Sequence, residues 1–271
     1  MIARVRERMV LKTATLGPML SAALCFGHLA TASATQFAYT VTDLGPVDAT
    51  EINDTGQVTG RGFRDQGSIR FVTGPNGANL RLISLAHDHD SGYGFGINNL
   101  GQVTGWSSGR TPERPFVTVP NGDVAQYFGF RGFASDINDP GQVVGTAFRG
   151  SHDPPDTPVG LFLANMNDAS FRIVSPTVFS FDSFTHLNNL GQIAGELSVP
   201  HGVGSTTHVF VTGADGGAFH DISGPRDFSA DAGDINNSGD VVGSYVRGQN
   251  RRAFVSYDGA RRIDYRCSRS R

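Results

Sequence analysis

His87-Asp88-His89-Asp90 is the densest run of metal-ligating side chains in the sequence. On a strand, alternation puts His87 and His89 on one face and the two aspartates on the other. Two imidazoles under-coordinate zinc, which takes three or four protein ligands. The remaining histidines, His152, His186, His201 and His220 among them, share no offset that brings a third ligand near, so a polar loop is the preferred reading. Gly105-Trp106-Ser107-Ser108-Gly109 fits the Gly-x-Ser-x-Gly pattern of a nucleophile elbow. That elbow needs a strand before the serine and a helix after it, whereas Arg110-Thr111-Pro112 follows here. Gly92-Tyr93-Gly94-Phe95-Gly96 likewise lacks the helix of a dinucleotide loop. Trp106 follows the repeat glycine directly, where Arg61, Thr146, Glu196 and Ser244 also occur, and Tyr245 stands one place further on; such variation suits exposure and makes the two aromatics candidate ligand contacts.

The elements that carry these residues are set by a repeat. Ile52-Asn53-Asp54-Thr55-Gly56-Gln57-Val58-Thr59-Gly60 returns at 97–105, 137–145, 187–195 and 235–243. The turn asparagines Asn53, Asn98, Asn138, Asn188 and Asn236 lie 45, 40, 50 and 48 residues apart. A period near 40–50 residues is that of a propeller blade, longer than most solenoid rungs. Each copy is followed by a second apolar element (Phe71-Val72-Thr73, Phe116-Val117-Thr118, Leu161-Phe162-Leu163, Val209-Phe210-Val211, Ala253-Phe254-Val255), then a Gly or Asn turn, then a fourth short element.

Asn at the start of such a turn bonds the backbone two residues on, and Gly56, Gly101, Gly141, Gly191 and Gly239 supply the positive φ that closes it. On that account Asn98→Asp is expected to be nearly silent, and Gly101→Val to cost about 1–3 kcal/mol. Calcium is a poor fit for these turns, since Leu100 and Leu190 occupy places where a calcium loop needs oxygen ligands. The expected fold is all-β: a β-propeller-like repeat of four-stranded units with five blades, or a six-bladed ring lacking one, and with minimal helix.

The Ile-Asn-x-x-Gly-Gln-Val-x-Gly unit, with its Ala/Val-Phe-Val partner and the opening Tyr39-Thr40-Val41-Thr42-Asp43-Leu44-Gly45, resembles the HAF-repeat family of bacterial extracellular repeat proteins. The resemblance spans residues 37 to about 264. The His-Ala-Phe triplet itself is degenerate, with His208-Val209-Phe210 and Arg252-Ala253-Phe254 closest to it. The resemblance implies export and a propeller-like fold, and carries over no catalytic residue.

Residues 1–34 read as a signal peptide: Arg4, Arg6, Arg8 and Lys12, then an apolar run, then Ala32-Ser33-Ala34. Cleavage after Ala34 leaves a propeller domain of residues 35–265 and a disordered basic tail of 266–271, with no membrane span. Residues 35–271 hold 18 basic and 24 acidic side chains, a balance that argues against a nucleic-acid partner. Lys12 is the only lysine, so the processed chain offers no Schiff-base chemistry, and Cys267 is its only cysteine. The expectation is a protein secreted to the periplasm or the cell exterior. It is non-catalytic and without cofactor, and it binds a glycan or protein; the alternative is a propeller enzyme acting on polysaccharide. One further expectation concerns closure. Two fourth strands, Phe37–Leu44 and Arg262–Tyr265, compete for one edge in a chain shortened from a longer ancestor, either closing five blades or leaving an open arc, with Phe37–Leu44 expected to be the more important of the two.

Overall fold

The computed structural model describes residues 40–64, 67–83, 91–108, 113–122, 124–148, 158–165, 167, 170–175, 185–201, 204–223, 229–257 and 261–264. The proposed signal peptide, the 266–271 tail, and His87 and His89 lie outside these. Twenty strands and no α-helix are found among the described residues.

They fall into five antiparallel four-stranded blades, each a meander in chain order. Blade one is β1 (Val47–Ile52), β2 (Val58–Arg64), β3 (Gly67–Val72) and β4 (Arg81–Leu82). Blade two is β5 (Ser91–Ile97), β6 (Val103–Ser108), β7 (Arg114–Thr118) and β8 (Ala125–Tyr127). Blade three is β9 (Gly132–Ile137), β10 (Gln142–Phe148), β11 (Pro158–Asn165) and β12 (Ser170–Ser175). Blade four is β13 (His186–Leu187), β14 (Ile193–His201), β15 (Gly204–Thr212) and β16 (Phe219–Asp221). Blade five is β17 (Ser229–Ile235), β18 (Val241–Arg247), β19 (Asn250–Tyr257) and β20 (Arg261–Asp264). One parallel bridge, Thr207 to Ser229, joins blades four and five.

The repeat sets the register of every blade. Its final glycine sits opposite the phenylalanine of the next strand in all five: Gly60 with Phe71, Gly105 with Phe116, Gly145 with Phe162, Gly195 with Phe210, Gly243 with Phe254. In blades one, two, three and five the first strand bulges at this level. The bulge pushes a carbonyl at the glycine, so a Cβ on Gly105 would stand 1.9 Å from the Tyr93 oxygen. Only a residue without a side chain fits there.

The apolar cores lie between blades. Val72 and Ile83 of blade one pack with Ile97, Val103 and Phe116 of blade two. Val117 and Phe128 join Ile137, Val143 and Phe162 of blade three. Val144, Leu161 and Leu163 meet Leu187, Ile193 and Phe210 of blade four. Ala194, Val209, Val211 and Ile222 meet Ile235, Val241, Tyr245 and Phe254 of blade five. Among the described residues, five blades thus make four cores.

Of the two strands expected to compete for the last edge, the later one is found there. The fourth position of the last blade is taken by β20, which pairs with β19. Residues 40–45 form no strand, and Thr42 and Leu44 lie against Gly77 in blade one, at the opposite end of the chain's blade order. Phe37, Ala38 and Tyr39 lie outside the described residues.

Candidate functional site at the axial mouth

The five Ile-Asn-x-x-Gly turns converge on one end of the molecule. There they surround a cavity of about 500 Å³ whose lining comes from all five blades. The sequence accounts for each asparagine as a turn former, and that part is present: Asn98 Oδ1 accepts from the backbone of Leu100 at 3.1 Å and of Gln102 at 3.0 Å. Turn closure is half of its work. Asn98 Nδ2 also donates to Gln102 Oε1 at 2.9 Å and across the seam to the Asn138 carbonyl at 3.0 Å. Asn53 reaches the Asn98 carbonyl, Asn138 that of Asn188, and Asn188 that of Asn236, each at 2.9 Å. The silent Asn98→Asp expectation is therefore corrected. An aspartate would keep the turn bonds, lose both donors and set a charged oxygen against two acceptors in a buried place.

The next residue makes a second belt nearer the rim. The backbone N–H of Asp54 donates to Asn99 Oδ1 at 2.9 Å, that of Asn99 to Asp139 Oδ1 at 2.8 Å, that of Asp139 to Asn189 Oδ1 at 2.9 Å and that of Asn189 to Asn237 Oδ1 at 2.8 Å. The adjacent Asn-Asx pair, too close together for a calcium loop, is in fact an inter-blade clamp.

Inside the belts lies a column that sequence reasoning missed, the residue just before the repeat Ile or Leu: Glu51, Gly96, Asp136, His186 and Asp234. Glu51 Oε2 accepts the backbone N–H of Ile97 in the next blade at 2.9 Å. Asp136 takes its own blade's Ile137 N–H at 2.7 Å and blade four's Leu187 N–H at 2.8 Å. Asp234 Oδ1 accepts from Ile235 at 2.8 Å, with His186 Nδ1 3.9 Å away. A Cβ on Gly96 would stand 2.9 Å from Asp136 Cα, so the blade-two member of the column is excluded by its neighbour. The signal was available as a register column, but its residue types differ from blade to blade and no motif announces it. His186, dismissed at the sequence level, belongs to this column. Glu51, Asp136 and Asp234, with Asp54 and Asp139 on the rim, line the cavity with no lysine or arginine among the described residues. Among the described residues no three His, Cys, Asp or Glu side chains stand close enough to hold a metal ion.

The two aromatic candidates part company. Tyr245 is fully buried in the core between blades four and five, so its expected exposure is not found. Trp106 is half-buried, stacked on Tyr93 with ring centroids 5.4 Å apart and edge-on to Phe133 at 5.1 Å. Arg61 lies over the other side of this run, 4.6 Å from the Tyr93 centroid, and is ion-paired to Asp48. The run is a band linking blades one to three, apart from the axial cavity.

No protein-family model matches the chain, and no curated protein sequence does. Solved structures do. TolB from Acinetobacter baumannii superposes with a TM-score of 0.51 at 12% identity, over 79% of this chain and 52% of that one. An acylaminoacyl peptidase from Pyrococcus horikoshii gives 0.50 at 10% identity, over 79% and 38%. The β-propeller domain of the Trilobed protease from Pyrococcus furiosus gives 0.36 at 12%, over 80% of each chain. The fold is a β-propeller. This chain spans about half the length of the TolB it matches, and at these identities the likeness is one of architecture alone. No helix among the described residues is long and apolar enough to cross a membrane.

Proposed function

We propose that this is an exported, non-catalytic binding protein whose ligand enters the axial mouth and presents a positively charged group to it. The observation that carries the reading is the division of labour at the mouth. The Asn-Asx belts repeat at all four seams, while the column just inside them varies (Glu, Gly, Asp, His, Asp) and places Glu51, Asp136 and Asp234 in the lining of a cavity with no lysine or arginine among the described residues. A purely structural column would repeat as the belts do. Converging carboxylates with no cation among the lining side chains favour a guanidinium or ammonium partner, such as an arginine-bearing peptide.

Binding is favoured over the polysaccharide-enzyme alternative by how the acids are held. Both oxygens of Asp136 accept backbone N–H groups, and Glu51 takes the Ile97 N–H. Held by backbone N–H groups in this way, they are oriented as fixed charges. The resemblance to HAF-repeat proteins and the three-part leader support export, which N-terminal sequencing of the released protein tests: a mature start at Thr35 is expected, and an intact Met1 would refute it. For the mouth, a fluorescent di-arginine peptide is titrated against the protein and its Glu51→Gln/Asp234→Asn variant. Binding that weakens at least tenfold in the variant, and with rising salt, is expected. Unchanged affinity would remove the mouth as the site. Oligosaccharide cleavage abolished by the same substitutions would replace the binding reading with the enzymatic one.

A further inference from the structure

The four seams inside the chain follow one rule, and the two outer faces carry the same parts. At each seam the leading blade gives an Asn Nδ2 and an Asx backbone N–H; the following blade receives them with an Asn carbonyl and an Asx Oδ1. Blade five breaks the relay. Asn236 Nδ2 donates to Asp240 Oδ2 within its own turn, and it has no cross-seam acceptor among the described residues. Asn237 N–H corresponds to the second donor. On blade one the Asn53 carbonyl accepts, among the described residues, only the Gly56 N–H of its turn, where Asn98, Asn138, Asn188 and Asn236 each accept a second, inter-blade bond.

Packing shows the same break. Ile97, Ile137, Leu187 and Ile235 are buried, and their blade-one counterpart Ile52 is 38% exposed. Thr59, Thr104, Val144 and Ala194 are wholly buried, and their blade-five counterpart Val242 is 44% exposed. Two positions that every internal seam covers, held by Ile52 and Val242 at the ends, are thus bare where blade five should meet blade one, beside matching donors and acceptors.

The geometry points to these two faces as an acceptor for one further four-stranded unit with the same Ile-Asn-Asx turn, supplied by another polypeptide segment. Such a unit has a leading and a trailing face. It extends the Asn relay from Asn236 through itself to Asn53, covers Val242 on one side and Ile52 on the other, and leaves no end. The occupant is defined by continuity with four seams of known composition. An intact second copy is the poorer fit: docked head to tail, it covers one end of each chain and leaves the other pair open.

The test uses thiol accessibility. In a Cys267→Ser background, Ile52→Cys and Val242→Cys are each labelled with a maleimide, with Leu100→Cys on an exposed turn as control. A second form of the chain carries a duplicate of residues 84–127, the link and second blade, after Asp264. Labelling at 52 and 242 should slow at least tenfold in the extended form and stay fast at 100. Equal rates in both forms overturn the proposal. Slow labelling of the unextended chain also overturns it: at all dilutions it would mean that blade five closes on blade one, and only at high concentration that a second copy is the occupant. Should the extended form fail to fold, Ile52→Asp in the unextended chain decides. It should melt within a few degrees of the parent, while Ile97→Asp should not fold; an unfolded Ile52→Asp protein would mean that the face is already covered, and would sink the idea.

Discussion

The seam between blades two and three and the outer face of blade five are written in nearly the same residues, yet they are physically different places. Asn98 and Asn236 close the same turn with the same pair of backbone bonds. Asn98 is buried because blade three covers it and takes its second amide bond; Asn236 stays exposed and, among the described residues, keeps only the bond within its turn, to Asp240, that Asn98 makes to Gln102. The difference teaches that the repeat encodes two separable things. The Gly-against-Phe register and the bulge belong to each blade alone. The Asn relay and the Ile contact exist only when a neighbour supplies the other half. Matched substitutions at the two places separate these parts.

The largest effect should be the one that ignores the comparison. Gly105→Ala and Gly243→Ala both drive a Cβ into a carbonyl of the same blade, at 1.9 and 2.2 Å. Each should cost more than about 4 kcal/mol in urea titration. A clear difference between the two would mean that the glycine constraint depends on the neighbouring blade after all. Next comes the apolar contact. Ile97→Ala should cost roughly 3–4 kcal/mol and Ile52→Ala no more than about 1, because only the first empties a packed core. Equal losses by calorimetry would erase the distinction between inner and outer faces. Smallest is the relay itself. Asn98→Asp should lose about 2–3 kcal/mol, and Asn236→Asp about 1, since solvent screens the new charge beside Asp240. If Asn98→Asp melts with the parent, the inter-blade bond contributes nothing net and the asparagine is a turn former only.

The fold was legible because it is written five times. Period, alternation and the Asn-x-x-Gly turns specify strand order and register, since each depends on a residue's neighbours within about ten positions. The mouth was legible only as turns. What Asn53 or Asn99 does across a seam depends on a partner 40–50 residues away, and asparagine satisfies the turn and the relay with different atoms of one amide, so the second role is invisible in the string. The Glu51, Asp136, His186, Asp234 column failed to show for the opposite reason: its residue types differ from blade to blade, so no recurring motif marks it. Tyr245 misled because strand alternation separates it from Trp106: it stands two places after the repeat glycine, where Ser107 and Ala147 are buried as it is, whereas Arg61, Trp106, Thr146, Glu196 and Ser244 in the place before are only half-buried.

The placement of the four cores has a consequence for how the chain opens. Each core belongs to a pair of blades, so stability is close to a sum of nearest-neighbour terms, as in linear repeat arrays. Blades two, three and four each stand between two cores; blades one and five touch one apiece. The terminal blades should therefore exchange their amide hydrogens through cheap local openings, while the middle strands of blade three exchange only when the whole array comes apart. The molecule would then fray from its two ends toward its centre, as a finite stack does, although its strands are arranged around an axis.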